Sequence, residues 1–315
     1  MIGSARDARR PSNPSAHWLS LVEVLLAALA LFWAGVSNAA DPQPVATGLQ
    51  FPEGTVFVGN TLYFVDYSAS SVFRLDGKKV ERVWHQDGCG ANGLVPTKGG
   101  LLVACYDNGT VIHVSLEGRT GEIMRADDQG QPFICPNDLT ADARGGIYFS
   151  GSGSESILGK VYYRSPGGRV RQVAADIQYA NGLAVAPDGK TLYLAESAAN
   201  RLLAFSIDAD GGLSGKREFV NLGELLTVPG QNTFTPDGVR IDKHGNLFVG
   251  LYRGGGFAVI SPEAKLLKYV KLPGSHHANL AISPDDRTIF ATSADDAPGG
   301  SYLGALLAVP NPIAK

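Results

Sequence analysis

Six places in the chain set an oxygen-bearing side chain at or beside the start of an apolar, strand-like run: Glu53-Gly54, Asn92-Gly93, Asn137-Asp138, Asn181-Gly182, Asp237-Gly238 and Ala278-Asn279, the last preceded by His277. Taken singly, Asn-Gly and Asp-Gly are hairpin-turn dipeptides, because these residues tolerate a left-handed backbone. Glu53 is not a favoured turn residue, and the acid and amide identities change from copy to copy. Two carboxylates can offset the charge of one divalent cation while neutral amide oxygens complete a hard shell. That donor set suits calcium and tolerates magnesium or manganese; zinc fits less well, since only His277 brings a nitrogen near the series. Such an ion with open positions polarises a lactone or phosphoryl oxygen and lowers the pKa of bound water. Asp237 would then be the catalytic group, taking a proton from that water or attacking directly.

This chemistry requires the six positions to converge, and the surrounding pattern supplies a way. Strand-like runs follow Gly- or Asp-bearing turns at Thr61 to Val65, Leu101 to Cys105, Gly146 to Phe149, Thr191 to Ala195, Asn246 to Gly250 and Thr288 to Thr292. No stretch of helical length keeps a 3.6-residue apolar period free of glycine and proline, so the chain reads as all-β. The donor positions at 53, 92, 137, 181, 237 and 278 are spaced by 39, 45, 44, 56 and 41 residues. A repeat of about that length, made of short strands and tight turns, is a propeller blade. Six copies predict a six-bladed β-propeller, with the donors on the strands nearest the axis and a central metal site at one mouth of the channel. Pro44 to Leu49 and Gly304 to Val309 are expected to share one blade and close the ring, which removes exposed sheet edges.

The residues Phe51-Pro52-Glu53-Gly54, Cys135-Pro136-Asn137-Asp138-Leu139, Ala180-Asn181-Gly182-Leu183 and Pro236-Asp237-Gly238-Val239-Arg240 stand in order at blade spacing. They resemble the senescence marker protein, gluconolactonase and luciferin-regenerating enzyme family, over about residues 47 to 310. The resemblance implies a six-bladed propeller that hydrolyses lactones with one catalytic divalent cation on its axis. It maps metal ligands onto Glu53, Asn181 and Asp237, places Asn137 beside the metal as ligand or substrate contact, and makes Asp237 the general base. Cys135 stands where sugar-acid lactonases of this family often carry arginine, and Phe149-Ser150-Gly151 where some carry Phe-Thr-Asp. Both departures argue against gluconolactone itself. Asn92, Tyr67, Tyr106, Glu196, Arg253 and His277 are further candidates for the substrate pocket, with loop or packing roles as the alternative for each. A calcium-dependent phosphotriesterase and a non-catalytic binding propeller remain as other readings, because fold alone does not fix function.

Composition narrows the partners. The 315 residues include 39 glycines and 18 prolines, 44% hydrophobic residues and a net charge of -3 with acids and bases interspersed. Such a chain can bury a large core and lacks the positive field that nucleic acid requires; a small molecule is the expected partner. Arg6, Arg9 and Arg10, the apolar run Val24 to Val36, and the small residues Ser37, Ala39 and Ala40 follow the order of a secretory signal peptide. The expectation is therefore a leader over 1–40 and a single domain over 41–315, periplasmic or secreted, with no membrane attachment after cleavage; an uncleaved anchor is the alternative. Three cysteines, Cys89, Cys105 and Cys135, allow at most one internal disulfide. Cys89 and Cys135 both precede donor positions in adjacent repeats, so a bridge between them is conceivable, with buried or free thiols of no role as the alternative and Cys105 a small apolar strand residue.

Overall fold

The computed structural model describes residues 41–227 and 233–314. The expected leader lies outside the described residues. Among the described residues, six four-stranded antiparallel sheets account for nearly all regular structure. The sole α-helical element among them is one turn, Leu222–Leu225. Five blades are built in simple chain order from their inner strands outward, and their inner strands are Pro52–Val58, Ala91–Thr97, Pro136–Ala141, Ala180–Val185 and Thr235–Ile241. The sixth blade runs outward from Leu280–Ile282 through Thr288–Asp296 and Tyr302–Pro310, and its outermost strand is Gln43–Leu49 from the other end of the domain. Gln43 pairs with Ala308 and Leu49 with Gly304. The ring is thus fastened by main-chain hydrogen bonds between its first and last strands, as the sequence predicts.

Burial on both faces of each blade explains why the second strands read as unbroken apolar runs. In Gly100–Cys105 every residue is buried. Leu101, Val103 and Cys105 pack with Val65 and Trp84 of the first blade, whereas Leu102 and Ala104 pack with Leu139, Phe149 and Tyr162 of the third. Alternate side chains point to opposite faces of a strand, so one run serves two inter-blade cores. Each fully buried Leu or Val contributes about 1.5–3 kcal/mol. Pro42–Lys315 form one compact unit, and no helix among the described residues is long and apolar enough to cross a membrane.

The cysteines pair differently from the bridge considered above. Cys89 is bonded to Cys105, 16 residues away, and Cys135 is free. Both partners belong to the second blade: Cys105 ends its second strand opposite Ala91, and Cys89 lies just before the inner strand. A short loop folding back on its own sheet therefore places the sulfurs together, whereas Cys135 sits at a corner with φ of 49° in the next blade.

Candidate active site at the axial mouth

Each of the first five inner strands breaks register at its donor position. The shifts fall between Glu53 and Val56, Ala91 and Gly93, Pro136 and Leu139, Ala180 and Leu183, and Pro236 and Val239. A bulge re-aims the side chain it carries, and here the same bulge recurs blade after blade. Glu53, Asn92, Asn137, Asn181 and Asp237 consequently line one cavity of about 500 Å³, and all five are between 5% and 9% exposed. Close packing of the inner strands explains the following glycines. A Cβ on Gly54 would meet the Asn92 carbonyl oxygen and one on Gly93 that of Asn137, so each glycine lets the next donor strand approach.

The electrostatics of this floor are unfavourable without a counter-charge. Burial first, then Asp138, pushes the Asp237 carboxyl up to about 8, against a smaller opposing effect of the adjacent Asn181 amide. Glu53 is raised as well, by burial and then by Asp237 and Asp138. Asp138 forms an ion pair with Arg240, Oδ2 to Nη1 at 2.7 Å. Three carboxylates and one guanidinium leave the axis with an excess of two negative charges when ionised. Asn181 Oδ1 is buried without a hydrogen-bond partner. No group of three His, Cys, Asp or Glu side chains among the described residues gathers to hold a metal; the donor set at the axis is instead two carboxylates with amide oxygens. An orphaned amide oxygen beside two repelling carboxylates fits a hard dication such as calcium.

Tyr106 lines the same cavity, together with Phe51, Tyr67, Tyr179 and Tyr252. His277 and Arg253 do not line it. The His277 ring nitrogens lie 2.9 Å from the Thr292 carbonyl oxygen and 3.2 Å from that of Gly274, and burial lowers its pKa. It fastens the last blade's own backbone. Arg253 has a φ of 58° and leans over the Tyr252 ring at 5.6 Å. Glu196 is buried as a structural acid, accepting from Arg201 Nε at 2.6 Å and from the Gln178 amide at 2.7 Å. The pair Asp138 and Arg240 has no counterpart in the sequence reading. Its signal was present: Asp138 and Asn279 occupy the position where four repeats carry glycine.

The family model described as "SMP-30/Gluconolactonase/LRE-like region" matches residues 51–295. The chain belongs to this family. Relatives within and around it include "Lactonase drp35" of Staphylococcus aureus (strain MW2), 28% identical over 90% of this chain and 95% of its own length. "Gluconolactonase" of Zymomonas mobilis is 28% identical over 79% of this chain and 78% of its own length. Among solved structures, a gluconolactonase from Xanthomonas campestris superposes with a TM-score of 0.72 at 22% identity, covering 89% of this chain and 92% of its own. A calcium-binding regucalcin from Agrobacterium tumefaciens superposes with a TM-score of 0.68 at 18% identity, over 86% and 95% of the two chains. These structural likenesses establish the family's six-bladed propeller as the fold of this chain.

Proposed function

We propose that the protein is an exported lactonase that depends on one divalent cation, calcium by preference. The observation that carries this reading is the convergence of Glu53, Asn92, Asn137, Asn181 and Asp237 on one cavity with an unpartnered Asn181 oxygen. Membership of the family and the lactonase and gluconolactonase names of its relatives supply the reaction class. Glu53, Asn137, Asn181 and Asp237 would hold the cation, with Asn92 facing the same space. When bound, the cation polarises the lactone carbonyl and offsets the negative charge that develops on its oxygen.

The remaining work falls to the chain's own residues. Asp237 without a cation is held protonated near neutral pH by burial and by Asp138, and a protonated carboxyl is no base. An adjacent positive charge favours its ionised form. Ionised Asp237 removes a proton from water as the water oxygen bonds to the carbonyl carbon. The ring C–O bond then breaks, and the proton passes from Asp237 to the departing alkoxide, leaving a hydroxy acid. Asn92 and Asn137 can orient the lactone through amide hydrogen bonds. Export is supported by the order of charged, apolar and small residues over 1–40 and by the Cys89–Cys105 bridge, since disulfides persist in oxidising compartments.

The test measures lactone hydrolysis by the purified chain before and after chelation, after calcium is restored, and in Asp237→Asn. Loss on chelation, recovery with calcium and loss of at least about a hundredfold in the variant are expected for removal of a general base. Activity that survives both treatments would overturn the mechanism. Calorimetric titration with calcium gives a readout independent of turnover: one site per chain is expected, weakened in Glu53→Gln.

A further inference from the structure

Above the donor floor the cavity changes character. Its wall is built from Phe51, Tyr67, Tyr106, Tyr179 and Tyr252, with Phe51 edge-on to Tyr67 at 6.3 Å and Tyr67 edge-on to Tyr106 at 6.1 Å. Three of the four tyrosine hydroxyls are already engaged. Tyr106 and Tyr179 share a hydrogen bond of 2.9 Å between the second and fourth blades, and Tyr67 donates to Asp107 at 2.8 Å. The wall therefore presents mainly ring surface, with the Tyr252 hydroxyl outside these bonds. No Lys, Arg or His belongs to the lining of this cavity, and Arg253 is occupied over Tyr252. A phosphate or carboxylate on the substrate would find no cationic side chain in this lining.

The apolar character continues onto the rim. Gly151 pairs with Pro136, beside the donor Asn137, so the segment that follows it leaves the third blade at the mouth end; there Ile157 is 44% and Leu158 is 51% exposed. Tyr179 immediately precedes the fourth inner strand and is 42% exposed. Leu303, 69% exposed, pairs with Asp295 next to the bridge between Ala294 and His276 at the mouth end of the sixth blade. Exposed apolar side chains thus stand at the mouth ends of the third and sixth blades, around an opening whose own wall is aromatic and includes the half-exposed Tyr179.

Resting on the lactonase reading, we infer that the substrate is an uncharged lactone bearing an apolar substituent, an alkyl chain above all, and not a phosphorylated, carboxylated or polyhydroxylated sugar lactone. The lactone ring sits at the axial donors, the chain lies along Tyr106 and Tyr179, and its end reaches the rim. A cavity of about 500 Å³ accommodates considerably more than a bare lactone ring.

The experiment compares kcat/KM of the calcium-loaded full chain for γ-butyrolactone, γ-octalactone, γ-decalactone, glucono-δ-lactone and 6-phosphoglucono-δ-lactone. A rise of about tenfold or more from γ-butyrolactone to γ-decalactone is expected from burying the added methylenes, with both sugar lactones below γ-decalactone. In Tyr179→Ser the ratio of γ-decalactone to γ-butyrolactone kcat/KM should fall at least threefold. A preference for either sugar lactone, or no dependence on chain length, overturns this inference and leaves the lactonase reading intact. Failure to hydrolyse any of the five removes the lactonase reading and this inference with it.

Discussion

Arg240 crosses the propeller axis to Asp138: from the fifth inner strand its Nη1 meets Asp138 Oδ2 at 2.7 Å in the third, and its Nη2 approaches the Thr55 carbonyl oxygen at 3.4 Å in the first. One side chain thus ties three alternate blades together beneath the donors. It also neutralises one of three buried axial acids, which leaves the excess of two negative charges that a dication would match.

The first expectation concerns that tie. Arg240→Met strands the Asp138 carboxylate in a buried position, and losing one partner of a buried pair costs about 3–5 kcal/mol. The double variant Arg240→Met with Asp138→Asn should regain most of the loss. Calcium affinity, measured by calorimetry, should rise in Arg240→Met because a competing positive charge has gone. Urea unfolding of the chelated proteins checks the stability ordering. A single variant within about 1 kcal/mol of wild type would show that the pair contributes little.

The second concerns pH. Asp237 has an ordinary carboxyl pKa near 4 when unfolded and about 8 when folded without a cation, and Glu53 is shifted in the same direction. The folded state then holds more protons than the unfolded state between these values, so stability declines as pH rises from about 4 to about 8. Calcium should flatten that decline by favouring both ionised carboxylates. Thermal melts of chelated and calcium-loaded protein from pH 5 to pH 8 separate the cases. Parallel curves for the two forms would mean that the axial acids do not sense the ion.

The third concerns the disulfide. Closing a loop of 16 residues through Cys89 and Cys105 restricts the unfolded chain and contributes about 3 kcal/mol in the chain-entropy model. Cys89→Ser with Cys105→Ser should lower Tm by several degrees, as should a reductant on wild type, while Cys135→Ser should leave the effect of reductant unchanged. Thiol titration of the unfolded, unreduced protein should find a single free cysteine. Three free thiols would remove the bridge.

Why some of this was legible in the chain and some was not follows from what a repeat encodes. The closing strand from Gln43 to Leu49 follows from what the repeat leaves over at the two ends, and the repeat itself fixes the donor position of Glu53 through Asp237, though not the register break that aims each donor. It is silent about contacts that differ between blades. Arg240 and Asp138 stand 102 residues apart in non-adjacent blades, and no spacing rule links them. Cys89 and Cys105 are joined by hairpin geometry inside one blade, whereas proximity to donor positions pointed across blades to Cys135. His277 stands beside a repeat position, yet its ring is turned to the carbonyls of Thr292 and Gly274; the last repeat carries Ala278 at the donor position, and its polar side chain moves to Asn279, which accepts from Thr55 at 3.2 Å.

The last expectation separates two reasons for keeping glycine. Gly189 sits in an open turn with φ of 69° and nothing near an added Cβ. Gly189→Ala carries only the left-handed backbone penalty, roughly 1–2 kcal/mol. Gly182 needs no left-handed backbone, but its added Cβ would land on the Asp237 carbonyl oxygen and on Gly238 of the neighbouring inner strand. Backbone cannot move aside as a flexible side chain can, so Gly182→Ala must push the fourth and fifth inner strands apart. Overpacking of this kind typically costs about 1–3 kcal/mol. Because the displaced strand carries Asp237, the loss of stability should come with weakened calcium binding, whereas Gly189→Ala should bind calcium as wild type does. Equal calcium affinity in the two variants would mean that the donor ring tolerates separation of its strands, contrary to the close inner-strand packing that places Asn181 beside Asp237.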